Sequence, residues 1–171
     1  MTAQGVAGQA PPSGEHCVAD LRYGEDARTM ETDLSPPLRS TSIQPQLWVD
    51  AGVAALAFYA NAFGARVLHR VGDGDDLVAQ LAIADAVFWI ATAGPDPARL
   101  VPRAIGGGAT SRMLLVVDDP DATFAQASAA GAESTSAVDD EHGWRVGRVI
   151  DPYGHEWEIG RPLGEWPPES A

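Results

Sequence analysis

The chain has 171 residues, of which 45% are hydrophobic and 20% are charged, so it is long enough to bury the core of one domain. Its formal net charge of -13 disfavours nucleic acids and anionic membrane surfaces as partners. The single cysteine excludes an internal disulfide and a zinc site built from thiolates, and no segment has the roughly 20 apolar residues of a membrane span.

The two ends of the chain differ in composition from its middle. Residues 1–42 are rich in Gly, Pro, Ser, Thr and acidic side chains without an apolar period, which predicts a flexible or wrapping N-terminal leader. Because the leader lacks the basic flank and apolar run of a signal peptide, we expect a cytoplasmic protein. Residues 164–171 are predicted to form a short tail.

A first structured module is predicted over residues 43–93. Apolar and polar side chains alternate from Ile43 to Val49, which is the period of a half-buried strand. A helix follows, with Asp50 as its N-cap and Gly64 as the left-handed residue that ends it. Three further strands complete the module: Val67–Val71, Leu77–Ile83 and Val87–Thr92.

A second module, residues 111–163, follows a Gly- and Pro-rich linker over residues 94–110. It begins with a strand from Arg112 to Val117 and continues with a helix that has Asp119 as its cap and Pro120 at its first position. Gly131 is predicted to end this helix. The last three strands are predicted near Glu133–Ala137, Trp144–Ile150 and His155–Ile159.

The two modules repeat each other. The offset between the glycines that end the helices is 131 - 64 = 67 residues, and the offset between the starts of the first strands is 112 - 44 = 68 residues. Near-equal offsets of this kind indicate an internal duplication. The sequence therefore predicts two copies of one βαβββ unit.

Three segments carry a resemblance to a known family: Ala57-Phe-Tyr-Ala-Asn-Ala-Phe-Gly-Ala65, Val117–Ala122 with Ala130–Glu133 after it, and Asp151-Pro-Tyr-Gly-His-Glu-Trp-Glu158. Through these segments the chain resembles the vicinal oxygen chelate superfamily, which includes glyoxalase I, the bleomycin-resistance proteins and the extradiol dioxygenases. The match extends from Ile43 to about Pro162. The resemblance implies an α+β fold in which two βαβββ modules form a cupped, half-open mixed β-sheet barrel with the helices outside.

The chain is also similar to a glyoxalase-like subgroup, often labelled PhnB-like, in which a metal is frequently not evident; the similar segments are Ile43–Leu47, Phe63–Ala65 and Gly143–Gly147. Metal-dependent members of the superfamily place four ligands on the inner face of the cup. The resemblance puts Gln44 and Glu158 at two of these positions, where their oxygens could bind a divalent ion. Arg112 and Trp89 occupy the other two, and neither side chain can ligate a metal. We therefore expect no cofactor, with one divalent metal ion on Gln44 and Glu158 as the alternative.

The guanidinium of Arg112 is a permanent cation that would repel a metal ion placed beside it. We hypothesise that Arg112 pairs with Glu158 and balances its charge in the cup, because either charge alone would be costly to bury. The alternative is that Arg112, next to the linker, points into solvent.

Tryptophans on the predicted strands indicate the class of ligand. Trp89 occupies a ligand position and Trp48 shares its strand face with two glutamines, so both indoles could stack on a flat organic molecule rather than pack in the core. Trp157 has the parity opposite to Glu158 and is predicted to pack beneath a helix. The complete set predicted to bind ligand is Gln44, Gln46, Trp48, Trp89, Arg112, Trp144, Arg145 and Glu158, with Trp144 and Arg145 at the rim of the cup.

The resemblance and these residues together predict a metal-free protein that binds a small aromatic or cationic organic molecule and sequesters a drug or natural product. The first alternative is a metal-dependent lyase, isomerase or dioxygenase that uses Gln44 and Glu158. A second is a metal-free enzyme with Glu158 as acid or base. His155 is predicted to bond to the turn around it rather than to act as a base. Since superfamily members commonly form dimers, we expect a homodimer.

Overall fold

The computed structural model describes residues 41–167, and the predicted leader, apart from its last two residues, lies outside the described residues. Module one contains β1 (Gln46–Val49), α1 (Gly52–Phe63), β2 (Arg66–Val71), β3 (Val78–Ile83) and β4 (Ala86–Thr92). Module two contains β5 (Arg112–Val116), α2 (Pro120–Ala129), β6 (Glu133–Glu141), β7 (Trp144–Ile150) and β8 (Glu156–Pro162). The predicted α+β class with two βαβββ modules is confirmed.

Each module forms one four-stranded mixed sheet. The strand orders are β1-β4-β3-β2 and β5-β8-β7-β6. β1 runs parallel to β4 and β5 runs parallel to β8, whereas the other neighbouring strands are antiparallel. The first strand of each module is therefore an edge strand, with one side of its backbone unpaired in the sheet.

The register of the first sheet places four side chains in one row across it. Gln46 of β1 lies opposite Trp89 of β4, Trp89 lies opposite Gln80 of β3, and Gln80 lies opposite His69 of β2. Side chains paired in this way project from the same face of a sheet. This is the face away from α1, because Phe88, the neighbour of Trp89, packs on an aromatic ring of that helix.

An equivalent row crosses the second sheet. Leu114 of β5 lies opposite Glu158 of β8, Glu158 lies opposite Arg148 of β7, and Arg148 lies opposite Ser136 of β6. Each of these residues lies about one repeat length after its counterpart in the first sheet. The duplication that the sequence predicts therefore extends to the strand register.

Aromatic side chains of α1 join the two sheets in one core. The ring of Tyr59 lies 5.3 Å from that of Phe88 in the first sheet and 5.8 Å from that of Trp157 in the second. Phe63 lies still closer to Trp157, with a centroid distance of 4.7 Å. All four side chains are buried. The prediction that Trp157 packs beneath a helix is confirmed, although the helix belongs to the other module.

The buried carboxylate of Asp151 holds the last turn in place. Its Oδ2 accepts hydrogen bonds from Tyr59 Oη at 2.7 Å and from Trp157 Nε1 at 3.1 Å. Its Oδ1 accepts from the backbone N–H groups of Tyr153 and His155, each at 2.9 Å. Four donors satisfy a charge that would otherwise be costly to bury. The His155 ring lies 2.9 Å from the carbonyl oxygen of Trp48 in β1, so the side chain makes a structural contact with module one and not, as predicted, with the turn around it.

The start of module one differs from the prediction. β1 begins at Gln46 rather than Ile43, and Ile43 is 96% exposed. The prediction that Asp50 caps α1 is wrong, because the helix begins at Gly52 after Ala51, without a side-chain cap. Asp50 Oδ2 instead accepts a hydrogen bond of 2.8 Å from Nε of Arg103, in the linker. This long-range ion pair competes with the local cap and explains the difference.

The other helix boundaries follow the predictions closely. Gly64 ends α1 in the left-handed conformation, with φ 66°. Asp119 Oδ1 accepts a hydrogen bond from the backbone N–H of Ala122 at 3.0 Å, so the predicted N-cap of α2 is confirmed. α2 ends at Ala129, two residues before Gly131. Across residues 41–167, neither helix has the length and apolar character needed to cross a membrane.

Candidate functional site

The face of the first sheet that turns away from α1 carries the glutamine cluster, Gln44, Gln80 and Trp89. Gln44 Oε1 accepts a hydrogen bond from Trp89 Nε1 at 2.8 Å and another from Gln80 Nε2 at 3.0 Å. Gln44 Nε2 donates to Ser42 Oγ at 3.2 Å. The cluster carries no formal charge, and its central atom is the amide oxygen of Gln44.

The corresponding face of the second sheet carries the glutamate cluster, Glu158, Arg112, Arg148 and Glu141. Glu158 Oε2 lies 2.8 Å from Nε of Arg148 and 3.2 Å from Nη1 of Arg112. Arg148 also contacts Glu141, and its hydrogen bonds to Glu141 and Glu158 raise its pKa. The Glu158 side chain is only 18% exposed, so this ion pair is partly shielded from water. The pairing of Arg112 with Glu158 that the sequence predicts is present, although the Arg112 side chain is 47% exposed.

The two clusters occupy equivalent positions in the repeat. Gln44, two residues before β1, corresponds to Arg112, the first residue of β5, and Trp89 in β4 corresponds to Glu158 in β8. In module one the acceptor is Gln44, before the first strand, and the donor is Trp89, in the last strand. In module two the acceptor is Glu158, in the last strand, and the nitrogen that contacts it belongs to Arg112, in the first strand. Each cluster thus has one acceptor oxygen that two nitrogen donors already contact.

The donor set does not fit a divalent metal ion of the kind that the superfamily resemblance implies. Arg112 and Trp89 offer N–H donors and no lone pair at two of the four positions. Two oxygens suited to a metal already have partners: Gln44 Oε1 accepts two hydrogen bonds, and Glu158 Oε2 accepts one from Arg148 and forms an ion pair with Arg112. Within residues 41–167, no group of three or more His, Cys, Asp or Glu side chains is placed to hold a metal ion.

A cavity of about 290 Å³ opens beside the glutamate cluster; its lining residues are Leu114, Glu141, His142, Trp144, Val146, Arg148, Glu158 and Trp166. Leu114 and Val146 contribute apolar surface to this lining, and Glu158 and Arg148 contribute charged groups. The cavity thus combines apolar surface with a few convergent polar groups, as small-molecule sites generally do.

Two tryptophans form the aromatic wall of this cavity. Trp144 and Trp166 meet edge to face, with ring centroids 5.2 Å apart and an angle of 73° between the ring planes. Trp144 has the same strand parity as Val146 and Arg148, which places its indole on the open face of the second sheet. Trp144 thus lines a cavity, and its contact with a ligand stays a prediction.

The structure does not bring Arg145 to the cavity. Its guanidinium bonds to both carboxylate oxygens of Asp121 in α2, at 2.6 Å each, and to Asp140 at 3.0 Å. These bonds raise the pKa of Arg145, and the hydrogen bond from Arg145 lowers the pKa of Asp121. Arg145 therefore projects from the helix side of β7, opposite to Trp144, which is the alternation expected of neighbouring strand residues.

Trp48 and Gln46 lie on the same face of the first sheet as the glutamine cluster. Gln46 is exposed and lies opposite Trp89. Trp48 is half-buried, and the guanidinium of Arg99 lies 5.0 Å from the centre of its ring. The Trp48 ring is thus already covered by a cation, which leaves less of its surface for a ligand.

Of the eight residues that line the cavity, only Trp144 and Glu158 were predicted from the sequence; the six that were missed are Leu114, Glu141, His142, Val146, Arg148 and Trp166. Arg148 and Glu141 complete the glutamate cluster, and Trp166 supplies half of the aromatic wall. Arg148 could have been found, because it lies one repeat after Gln80 and shares the parity of Trp144. Trp166 gave no signal beyond being an aromatic residue in a polar tail.

Other cavities have larger volumes. One of about 550 Å³ lies where β1 and β4 end and is lined mainly by the connections around Gly94 and Val101. A more apolar groove of about 430 Å³ lies between the start of module one and β5, and Arg112 of the glutamate cluster is among its lining residues. Within the described part of the chain, no hydrogen bond or ion pair joins the glutamine cluster to the glutamate cluster.

Residues 43–159 match the model of the Glyoxalase/Bleomycin resistance protein/Dioxygenase superfamily. The chain is 34% identical over 149 residues to the uncharacterized protein Rv0887c of Mycobacterium tuberculosis, a match that covers 84% of each chain. It is also 34% identical over 130 residues to the uncharacterized protein Mb0911c of Mycobacterium bovis, covering 72% of this chain and 85% of that protein.

Solved structures share the fold. A gene product of Arabidopsis thaliana is 25% identical, with a TM-score of 0.58 over 72% of this chain and 100% of that chain. TioX from Micromonospora sp. ML1 is 24% identical, with a TM-score of 0.54 and the same coverage. The fosfomycin resistance protein FosX from Listeria monocytogenes is 17% identical, with a TM-score of 0.57 over 75% of this chain and 97% of that chain. The chain therefore belongs to the glyoxalase/bleomycin resistance protein/dioxygenase superfamily.

Proposed function

We propose that this protein binds a small, flat, positively charged aromatic molecule in the cavity beside Glu158, without a metal ion, and sequesters a drug or natural product of that class. The observation that carries the proposal is that the two oxygens most suited to bind a metal ion already contact side chains of the protein. Gln44 Oε1 accepts two hydrogen bonds, and Glu158 Oε2 accepts one from Arg148 and forms an ion pair with Arg112, so a metal ion at either oxygen would have to displace an existing contact.

The metal-free part of the proposal rests on the chemistry of the donors. FosX, which shares the fold at low identity, has been crystallised with Mn(II), so the fold by itself is compatible with a metal. In this chain a metal at the equivalent place would have to displace the Arg112 guanidinium from Glu158 and lie beside a second cation, Arg148. Both contacts would be repulsive.

The aromatic part of the proposal rests on the cavity wall. The indoles of Trp144 and Trp166 stand at 73° to each other, so they form a corner that accepts one flat ring against the face of one indole and the edge of the other. A cavity volume of about 290 Å³ is at the lower end of the range for small-molecule sites, about 300–1,000 Å³. A flat molecule of up to three fused rings matches this space better than a larger one.

The charge of the ligand follows from the side chains around the glutamate cluster. Arg112 and Arg148 contribute two positive charges, and Glu141, Glu156 and Glu158 contribute three negative ones, which gives 2 - 3 = -1. The whole chain carries a formal charge of -13. Both the local and the overall field therefore favour a cationic ligand over an anionic one.

The test is calorimetric binding of two flat probes of opposite charge, proflavine as the cation and anilinonaphthalene sulfonate as the anion. We expect proflavine to bind at least about tenfold more tightly, since a charged contact contributes about 1.5–3 kcal/mol. Glu158→Gln should weaken proflavine binding, and Arg112→Met should strengthen it, because the two substitutions change the local charge in opposite directions. Tighter binding of the anion, or no binding of either probe, would contradict the proposal.

We also propose that the protein functions as a homodimer. The two clusters lie on separate sheets and no bond joins them within residues 41–167, so a second copy could bring the glutamine cluster of one chain to the glutamate cluster of the other. The edge strand β5 exposes Leu114 and Val116, two apolar side chains that a partner would cover. Sedimentation should give twice the 17.9 kDa mass of one chain, and Val116→Glu should lower it. A monomer at all concentrations would refute the pairing.

A further inference from the structure

The wall of the cavity comes from two parts of the chain with different relations to the family. Trp144, Arg148 and Glu158 lie within residues 43–159, the range that matches the superfamily model. Trp166 lies beyond that range, in the segment that follows β8. Half of the aromatic wall therefore comes from outside the range that the family model matches.

A hydrogen bond and a ring contact hold this segment over the sheet. The backbone N–H of Leu163 donates to the carbonyl oxygen of Gly143, in the turn between β6 and β7, at 2.8 Å. Three residues further on, the ring of Trp166 contacts that of Trp144 at a centroid distance of 5.2 Å. The hydrogen bond to the turn holds Leu163 in place and so positions Trp166 beside the cavity.

Trp166 keeps most of its surface available. It is 59% exposed, and Trp144 is the aromatic ring that it contacts among the described residues. Burial of the exposed face of this indole against a flat ligand ring contributes favourable binding free energy. If the ligand carries a positive charge, the face of the indole also attracts it.

We infer that Trp166 is a specificity-determining residue, which selects flat aromatic ligands by stacking while Glu158 selects their charge. The inference rests on the proposed function and adds that different residues recognise the ring and the charge of the ligand. A cation without a ring depends mainly on Glu158, because it gains only cation–π attraction from the indole, whereas a flat aromatic cation also stacks on Trp166.

The test compares two cations, proflavine and the non-aromatic tetraethylammonium, by calorimetry on the full chain. Trp166→Ala should weaken proflavine binding about tenfold or more and tetraethylammonium binding only about two- to fivefold, because tetraethylammonium loses cation–π attraction alone whereas proflavine also loses the stacking contact. Trp166→Phe should restore proflavine binding to within about threefold of the wild type. Ile105→Ala is the matched control, because Ile105 is 55% exposed but does not line this cavity, and it should leave both affinities unchanged.

The outcomes separate the inference from the proposed function. If Trp166→Ala leaves proflavine binding intact while Glu158→Gln weakens it, the cavity binds the cation but Trp166 does not select its shape. If Trp166→Ala weakens both cations equally, the residue supports the cavity and is not selective, which also overturns the inference. If the wild type binds no proflavine, the proposed function and the inference both fail. Circular dichroism of each variant checks that the fold is retained.

Discussion

Tyr59 in α1 donates a hydrogen bond of 2.7 Å to Asp151 in the last turn, across 92 positions of sequence. The two residues belong to the two segments that most resemble the family, the helical Phe-Tyr stretch and the Asp-Pro-Tyr-Gly turn. Both side chains are buried, and Asp151 also accepts a bond from Trp157. The contact therefore fastens module one to module two at the aromatic core.

Removing the hydroxyl of Tyr59 should destabilise the fold. Tyr59→Phe leaves the Asp151 carboxylate with one donor fewer in a buried site, which costs about 1–3 kcal/mol of unfolding free energy. Tyr153→Phe is the matched control, because no side chain among the described residues bonds to the Tyr153 hydroxyl. Urea unfolding measures both variants. Equal stabilities for the two would contradict the role assigned to the Tyr59–Asp151 bond.

The same contact predicts how stability responds to alkaline pH. Burial and the neighbouring Asp151 raise the pKa of Tyr59 well above its ordinary value of 10.0, and burial raises the pKa of Tyr153 to about 12. In the unfolded chain both phenols ionise near pH 10. The stabilisation is therefore complete below pH 10 and is lost as the pH rises, because only the unfolded state releases the protons.

Unfolding measured at intervals from pH 9 to pH 11.5 should show this loss, at up to about 1.4 kcal/mol per pH unit for each tyrosine. Tyr59→Phe should lose stability less steeply than the wild type over the same range. An identical slope in the two proteins would show that Tyr59 ionises at the same pH in the folded and unfolded chains.

The two arginines on Glu158 should differ in their effect on stability. Arg148 is 26% exposed and joins Glu158 to Glu141, so Arg148→Met leaves two partly shielded carboxylates without their shared partner and should cost about 1–3 kcal/mol. Arg112 is more exposed and its bond to Glu158 is longer, so Arg112→Met should cost less than about 1 kcal/mol. Thermal unfolding of the two variants checks the order, and the reverse order would be a contradiction.

Gly147 in β7 is required by close packing against α2. A Cβ at this position would lie 2.8 Å from Cγ2 of Val138 and 2.9 Å from Cδ2 of Phe124. Gly147→Ala should therefore cost about 1–3 kcal/mol through overpacking. Gly164→Ala is the control, because nothing lies within 4 Å of a Cβ there, and it should change stability by less than about 0.5 kcal/mol. Chemical unfolding should separate the two variants clearly.

Much of the fold could be predicted from local signals. The duplication could be predicted because the offset between Gly64 and Gly131 nearly equals that between Gln44 and Arg112. The cap at Asp119 could be predicted because its side chain bonds to a backbone N–H only three residues ahead. The cap predicted at Asp50 was wrong because Arg103, 53 residues away, binds the same carboxylate. An interaction at that separation leaves no periodic pattern in the sequence.

The candidate site could be predicted only in part. The pairing of Arg112 with Glu158 follows from the ligand positions that the family resemblance implies and from the cost of leaving a buried charge alone. The position of Arg145 on the helix side could have been predicted from strand parity, because Arg145 is the neighbour of Trp144 in β7. The contribution of Trp166 depends on the path of the chain after β8, which neither strand parity nor composition specifies.

The most direct test of the account is a calorimetric titration of the dialysed wild-type protein with proflavine, performed in EDTA and repeated with added Mn(II), together with metal analysis of the same sample. We predict less than about 0.1 metal ion per chain and the same affinity for proflavine in both buffers, because the oxygens of Gln44 and Glu158 are already bonded. A stoichiometric metal ion that survives dialysis, or proflavine binding that requires Mn(II), would contradict the central claim.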